Sequence, residues 1–199
     1  PAFEAGYGPG TVVDDYPKDY NGHVFKNSNR TYNGLVTIRK GITSSLNVVA
    51  VKTMEMTGID ACYKFAQGLG FSKLVDSDRN LSTALGGLTT GVSPLEMAGA
   101  YGTFANNGVY IEPYAITQIT DKNGKVLWEH KTEKKVAMSE QSAYLLTSCL
   151  TDAASSGTGS RAKVSGHQTA GKTGTTSDNK DAWFSGYTKH YVGIVWMGY

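Results

Sequence analysis

The stretch Ala170-Gly171-Lys172-Thr173-Gly174-Thr175-Thr176 lies in a strand-forming region near the end of the chain. Side chains alternate along an extended strand, so Thr173 and Thr175 point to the same side. Two hydroxyl groups beside the charge of Lys172 can bind a carboxylate, although strict alternation sends Lys172 to the other face and a local twist would be needed. Gly174 lets a substrate backbone lie against the strand. The alternative is a Thr-rich strand that enters a turn and binds nothing.

Three strands are predicted around this stretch, at roughly 168–175, 181–188 and 191–198. Their short links favour antiparallel pairing. Because the sequence before them is mostly helical, we predict an α+β protein in which an antiparallel sheet is flanked by helices. Trp183 and Trp196 are expected to pack the sheet against these helices.

The clearest helix start is Ser93-Pro94-Leu95-Glu96. Ser is a good N-cap, Pro is tolerated in the first turn, and Glu three residues after Ser completes a capping box. The helix is predicted to run to Phe104 and to end at Asn106-Asn107-Gly108, because Asn and Gly accept the backbone conformation that stops a helix.

A hairpin and a further helix are predicted between this helix and the three strands. Asp121-Lys122-Asn123-Gly124 contains the Asn-Gly pair that favours a tight turn, and it separates apolar runs at 115–120 and 125–128. Ser139 is then expected to cap a helix over residues 143 to about 153.

The first third of the chain is less regular. Residues 1–34 are rich in Gly, Pro, Asp, Asn and Tyr and are interpreted as a loop. Two apolar patterns with helical spacing follow, over residues 35–42 and 48–56. A third helix is predicted to be capped by Asp60, with an apolar face that includes Ala61, and to end at Gly68 or Gly70.

Composition limits the classes of function. The 199 residues suit one domain, and a net charge of +2 argues against a nucleic acid or a membrane surface as partner. Cys62 and Cys149 lie in apolar helical patterns and are predicted to be buried small residues. Neither the cysteines nor the histidines have metal-ligand spacing, so no metal site is predicted.

No run of residues has the length of a transmembrane helix, and nothing resembles a signal peptide. The chain begins Pro1-Ala2-Phe3. We therefore interpret it as part of a longer protein, which could be exported or anchored without this chain showing it.

A second candidate motif is Ser45-Leu46-Asn47. Ser and Asn two positions apart at a helix junction can both face a cleft, where Ser45 could relay a proton and Asn47 could hold a substrate amide and a lysine. The alternative is a pair of N-cap residues, because the apolar run 48–51 follows directly.

Together these motifs resemble those of the class A penicillin-binding proteins, which carry Ser-x-x-Lys, Ser-x-Asn and Lys-Thr-Gly. The resemblance covers nearly the whole chain in family order. Its segments are Ser44–Val51, Thr83–Gly87, Gly91–Ala98, Ala100–Gly108, Gly157–Gly159, Lys172–Thr176, Asp181–Phe184 and Gly186-Tyr187.

The chain departs from the family pattern at the first motif. No Ser-x-x-Lys precedes Ser45, and residues 1–12 resemble the stretch shortly after that motif. Matches at 160–163 and 177–180 fall in loops, whereas the nucleophile needs a helical turn that puts Ser and Lys on one face. We reject both and expect residues 1–199 to be a partial transpeptidase domain, β-lactamase/transpeptidase-like in fold and truncated at both ends.

The resemblance implies D,D-transpeptidation. In this reaction a serine outside this chain is acylated by a peptidoglycan stem peptide, and an amine of a second stem peptide then attacks the acyl-enzyme ester. β-Lactams would trap that serine. In this scheme Ser45, Asn47 and Lys172 are catalytic. The residues implied in substrate binding are Thr173, Gly174, Thr175 and Thr176.

The resemblance also implies peptidoglycan stem peptides and β-lactam antibiotics as partners, no cofactor, and a membrane-anchored parent at the extracytoplasmic face of a bacterial cell membrane. Two alternatives share the motifs: a non-catalytic sensor that binds β-lactam or peptide, and a D,D-carboxypeptidase or β-lactamase. The middle segment resembles the transpeptidases more than the β-lactamases.

Overall fold

A computed structural model describes residues 1–176 and 179–199 of the chain. The α-helices in this part are α1 (Ile38–Thr43), α2 (Asn47–Thr57), α3 (Ile59–Gly68), α4 (Pro94–Ala105) and α5 (Glu140–Ser155). The strands are β1 (Val12–Asp15), β2 (Asp19–Tyr20), β3 (His23–Val24), β4 (Gly34–Thr37), β5 (Val109–Tyr110), β6 (Gln118–Thr120), β7 (Val126–Glu129), β8 (Lys135–Val136), β9 (Ala170–Thr175), β10 (Asp181–Tyr187) and β11 (Val192–Gly198).

The main sheet has the order β11-β10-β9, with antiparallel pairing throughout. This confirms the three predicted strands and the α+β class. Lys172 lies opposite Ser185, and Thr173 lies opposite Phe184. Strand β9, which carries the Lys-Thr-Gly stretch, is therefore an edge strand with one side free of strand partners within the described sheet.

Helices α4 and α5 cover one face of this sheet. Leu150 of α5, Ala170 of β9 and Tyr187 of β10 form one buried cluster, with Tyr101 and Phe104 of α4 packed against it. The Thr147 and Tyr187 hydroxyl groups lie 2.8 Å apart, so the buried phenol also has a polar partner. Burying a large apolar side chain contributes about 2 kcal/mol, so this cluster fixes β9 against α5.

Strand β11 is exposed on both faces. Val195 is 56% and Met197 70% exposed on one face, and Trp196, on the face that carries Trp183 and Tyr187, is 45% exposed. Trp196 is therefore not buried under helices as predicted. It pairs across the strands with Trp183, with ring centroids 6.3 Å apart, and its Nε1 donates to Asp181 at 2.8 Å.

The predicted helix ends and hairpin are confirmed. Ser93 Oγ accepts from the Glu96 backbone N–H while the Glu96 carboxylate accepts from the Ser93 backbone N–H, which is the reciprocal capping box. Ser139 caps α5, which starts three residues before the predicted start and runs two residues beyond the predicted end. Strands β6 and β7 pair as a hairpin, with Gly124 at a φ of 82°.

Two predictions in the first third were wrong. Residues 1–34 are not all irregular, since β1 pairs antiparallel with β4. Residues 35–37 belong to β4 and not to a helix, because β1 offers them backbone partners; α1 starts only at Ile38, where Thr37 Oγ1 accepts from the Lys40 N–H. A short apolar run cannot by itself distinguish strand from helix.

The cap predicted at Asp60 is also wrong. Helix α3 starts at Ile59, and Gly58, at a φ of 94°, makes the abrupt turn out of α2 that a residue with a side chain would resist. Asp60 lies in the first turn and pairs with Arg79 at 2.8 Å. Ala61, predicted on the apolar face, is exposed, and the buried residue of α3 is Tyr63.

The two cysteines differ in burial. Cys149 is fully buried and Cys62 is half-buried, and both are free thiols. Burial raises the pKa of each thiol, because the thiolate would lose its hydration. The prediction of a buried small residue is confirmed for Cys149 and only in part for Cys62.

A buried carboxylate ties β1 to the segment that follows it. Asp15 is fully buried and accepts from Asn27 Nδ2 at 2.8 Å, from the Asn33 backbone N–H at 3.0 Å and from Asn33 Nδ2 at 2.7 Å. Asn27 is itself 3% exposed, and its Oδ1 accepts from the Val48 backbone N–H at 3.1 Å. Asp15 therefore links β1 to the start of α2 through Asn27.

We expect Asp15→Ala to lower the free energy of unfolding by about 3 kcal/mol, because one buried and two partly buried hydrogen bonds lose their acceptor. Urea denaturation followed by circular dichroism measures this. The control is Asp14→Ala on the same strand. The Asp14 side chain is 52% exposed and lies 3.8 Å from Lys52, so its loss is expected to cost under about 1 kcal/mol. Equal losses for the two variants would contradict the proposed role of Asp15.

Candidate active site

Ser45 lies at the junction of α1 and α2, in a turn with a left-handed backbone. Its φ is 55°, a conformation that costs free energy for a residue with a side chain. Two hydrogen bonds hold the turn: the Ser45 N–H donates to Ile42 O at 3.2 Å, and the Leu46 N–H donates to Gly41 O at 2.9 Å. The exposed Ser45 side chain is thereby fixed in direction relative to α2.

Lys172 makes direct contact with Ser45, although 127 positions separate them. Its Nζ donates to Ser45 Oγ at 2.8 Å and to the backbone carbonyl of Thr173 at 2.9 Å. By alternation Lys172 starts on the opposite face of β9 from Thr173, and its amine reaches the Thr173 carbonyl. That Lys172, Thr173 and Thr175 reach one ligand stays a prediction.

The environment of Lys172 is neutral. The amine is half-buried, burial lowers its pKa, and both hydrogen-bond partners are uncharged oxygens. None of the salt bridges among the described residues includes Lys172. A partly dehydrated lysine without a counter-ion can attract an anion or exchange a proton.

Asn47 is the first residue of α2, and its Nδ2 donates to Lys26 O at 3.0 Å. That bond uses one amide hydrogen and leaves its Oδ1 and second hydrogen for other partners. The capping alternative is wrong, because the N-cap is Leu46 and makes no side-chain bond. Asn27 Oδ1 instead satisfies the Val48 N–H from outside the helix.

The residues predicted to bind substrate lie along β9 and at its end. Thr173 Oγ1 donates to Thr158 Oγ1 at 2.9 Å. Gly174 lies opposite Trp183, and Thr175 is exposed at the last position of the strand. Thr176 contacts the first residue of β10. Its hydroxyl donates to Asp181 Oδ2 at 3.1 Å and accepts from the Asp181 N–H at 2.8 Å.

The structure brings Ser45 and Lys172 into direct contact. Within the described residues, neither Asn47 nor Thr175 has a hydrogen bond to either of them, so their convergence on one cleft stays a prediction. The loop predicted at 160–163 is wrong in part, because Ser160 starts a 3-10 helix of three residues; that Ser160 is not the nucleophile stays a prediction. The other match, at 177–180, includes residues 177 and 178, which lie outside the described residues.

Sequence reasoning missed the residues that hold Asn47. Lys26 contributes only a carbonyl oxygen, which any residue could supply, so no sequence signal marks it. Asp15 and Asn27, which hold the start of α2, are polar residues in a segment interpreted as a loop, and their long-range partners lie 12 to 21 positions away. The one available signal was Val13-Asp14-Asp15, since alternation with the buried Val13 places Asp15 on the core side.

In residues 1–176 and 179–199, no helix is both long enough and apolar enough to cross a bilayer. The same residues contain no group of three His, Cys, Asp or Glu side chains placed to hold a metal ion.

The penicillin-binding protein transpeptidase domain family matches residues 1–199. Penicillin-binding protein 1F of Bacillus subtilis is 39% identical over 202 residues, which cover 98% of this chain and 28% of that protein. Penicillin-binding protein 1A of Clostridium botulinum is 41% identical over 176 residues, covering 87% of this chain and 21% of that protein. The chain thus spans about a quarter of the length of these relatives.

Solved structures agree with this likeness. Penicillin-binding protein 1A of Haemophilus influenzae superposes with a TM-score of 0.88 at 28% identity, covering 100% of this chain and 36% of that one. The PonA1 protein of Mycobacterium tuberculosis in complex with penicillin V has a TM-score of 0.88 at 27% identity, covering 99% of this chain and 56% of that one.

The neutral environment of Lys172 predicts a pH effect on stability, measured against Lys172→Met. The folded pKa lies below the ordinary value of 10.5 because of burial, so between these two values the unfolded chain binds the extra proton. The free energy of unfolding of the wild type, relative to that of Lys172→Met, should therefore rise as pH approaches 10.5. Well below the lowered pKa it should not change with pH.

Urea titrations of both proteins across the alkaline range measure this difference, and the shared tyrosines largely cancel in it. A wild-type stability that falls relative to Lys172→Met as pH rises would mean that the pKa of Lys172 is raised. That result would contradict the account of its environment.

Proposed function

The chain belongs to the family of penicillin-binding protein transpeptidase domains, and we propose that it carries two of the three motifs of a D,D-transpeptidase that cross-links peptidoglycan stem peptides by serine acyl transfer. The observation that supports this proposal is the 2.8 Å contact between Lys172 Nζ and Ser45 Oγ. It joins the Ser-x-Asn and Lys-Thr-Gly motifs beside an exposed sheet edge.

The reaction we propose has two steps. The hydroxyl of a serine upstream of this chain attacks the carbonyl carbon between the last two D-alanines, the C–N bond breaks, and D-alanine leaves with a proton on its amine. An amine of a second stem peptide then attacks the acyl-serine ester, the C–O bond breaks, and the serine recovers its proton. Splitting the reaction in this way replaces one difficult step by two easier ones.

Ser45 and Lys172 would serve the proton transfers. Ser45 Oγ can pass a proton toward the leaving amine, because it accepts from Lys172 and retains its own hydroxyl hydrogen. The lowered pKa of Lys172 brings the amine closer to the range in which it can exchange a proton. Its positive charge also favours neutral amines nearby.

The other residues would bind and orient the substrate. Asn47 Oδ1 can accept from the donor amide or from the lysine of the missing motif, while its Nδ2 stays on Lys26. Thr173 and Thr175 would bind the terminal carboxylate, and Gly174 lets the substrate backbone approach. The Thr175 N–H would be one oxyanion-hole donor, and the upstream serine N–H the other.

β-Lactams would enter the same site, because the lactam carbonyl and carboxylate resemble those of the donor dipeptide. We further propose that the parent protein is anchored in a bacterial cell membrane with this domain at the extracytoplasmic face, where peptidoglycan is assembled. The reaction as proposed needs no cofactor.

A fluorescent penicillin tests the position of the nucleophile. The 199-residue chain should not be labelled covalently, whereas a protein that joins it to the upstream Ser-x-x-Lys segment should be. Mass spectrometry locates any adduct. A stable adduct on a serine of this chain, including Ser160 or Ser177, would overturn the claim that the nucleophile lies outside it.

Substitutions in the longer protein test the proposed roles. Ser45→Ala and Lys172→Ala should each slow acylation by about a hundredfold or more, because each removes a proton-transfer group. Thr175→Val should chiefly weaken binding, by about tenfold, since a hydrogen bond to a charged group is lost. Stopped-flow acylation over a range of penicillin concentrations separates rate from binding. Wild-type kinetics in Lys172→Ala would refute the assignment.

A further inference from the structure

The loop Gly157-Thr158-Gly159, directly after α5, touches the polypeptide on both sides of the Ser45–Lys172 contact. The Thr158 N–H donates to Thr43 O at 3.3 Å, two residues before Ser45. Thr158 Oγ1 accepts from Thr173 Oγ1 at 2.9 Å, one residue after Lys172. Thr158 has no role in the proposed function, although it contacts both the segment before the Ser-x-Asn motif and the Lys-Thr-Gly motif.

Close packing holds this loop in place. A Cβ on Gly157 would lie 2.8 Å from Ala153 Cα and closer still to Thr43 O, so only glycine fits without movement. The Gly157 N–H donates to Asp152 O at 3.1 Å, and the Gly159 N–H donates to Ala153 O at 3.0 Å. Thr158 therefore presents an exposed hydroxyl from a well-fixed backbone.

We propose that Thr158 is a positioning residue that sets the preference of this site for a ligand with a free carboxylate, acting through the hydroxyl of Thr173. The inference rests on the proposed function, in which Thr173 binds that carboxylate. Thr158 adds a third hydroxyl next to the pair on β9.

The chemistry follows from the hydrogens available. In the structure Thr173 gives its one hydroxyl hydrogen to Thr158, which fixes the side-chain rotamer of Thr173. A carboxylate only accepts, so Thr173 must turn its hydrogen to the ligand. Thr158 can then turn its own hydrogen to the lone pair of Thr173.

The result is a donor chain from Thr158 to Thr173 to the carboxylate. Each hydrogen bond in such a chain polarises the next, and the gain is larger when the final acceptor is charged. An uncharged ester at the same place gains less. Thr158 thereby favours the anion specifically and does not strengthen binding in general.

The test compares benzylpenicillin with its methyl ester in the longer protein that includes the upstream serine. The measured quantity is the ratio of the two second-order acylation rate constants. Thr158→Val keeps the shape but removes the hydroxyl, and should lower this ratio about three- to tenfold, the range expected for one hydrogen bond. Thr158→Ser, which keeps the hydroxyl, should retain most of the ratio.

A purely structural role would slow both compounds equally in Thr158→Val and leave the ratio unchanged, which would overturn the inference. Gly157→Ala gives the matched comparison. It displaces the loop from Thr43 O and should slow both compounds, because it disturbs the Ser45 side without removing a hydroxyl.

Thr175→Val separates this inference from the proposed function. If wild type shows no preference for the acid, the proposed carboxylate site is wrong and the inference falls with it. If wild type prefers the acid and Thr175→Val reduces that preference while Thr158→Val does not, the proposed site stands and only the role of Thr158 is refuted.

Discussion

The hydrogen bond from Lys172 Nζ to Ser45 Oγ is the contact on which the arrangement of the site depends. It connects the helical part of the chain to the edge strand of the sheet, and each partner is held by its own element. Ser45 is fixed by a left-handed turn between α1 and α2, and Lys172 by β9, which packs on α5 through Ala170 and Leu150. A shift of either element would separate the two motifs.

The electrostatics of the contact are as important as its geometry. Lys172 is half-buried next to a hydroxyl and a carbonyl, and burial lowers its pKa because the amine loses water and has no salt bridge to any residue that the structure describes. A carboxylate partner would have raised that pKa and held the amine as a structural cation. The site therefore keeps its positive charge available for an anionic ligand, at some cost in stability.

Local signals in the sequence predicted the elements that depend on near neighbours. The capping box at Ser93 and Glu96 and the Asn-Gly turn at 123–124 each need only a few residues, and both are present. Long-range pairing was not predictable in the same way. Residues 35–37 became a strand because β1 lies beside them, and Thr158 meets Thr173 only through the packing of α5 on β9. Ser45 and Lys172 were predicted to meet only through the family resemblance.

The central claim is that Ser45 and Lys172 act as one proton-transfer unit, and a double-mutant cycle tests it most directly. Acylation by benzylpenicillin would be measured in the longer protein for wild type, Ser45→Ala, Lys172→Ala and the double variant. Residues that act together lose most of their effect when either is removed. We expect the double variant to be about as slow as the slower single variant. Rate losses that simply multiply would contradict it.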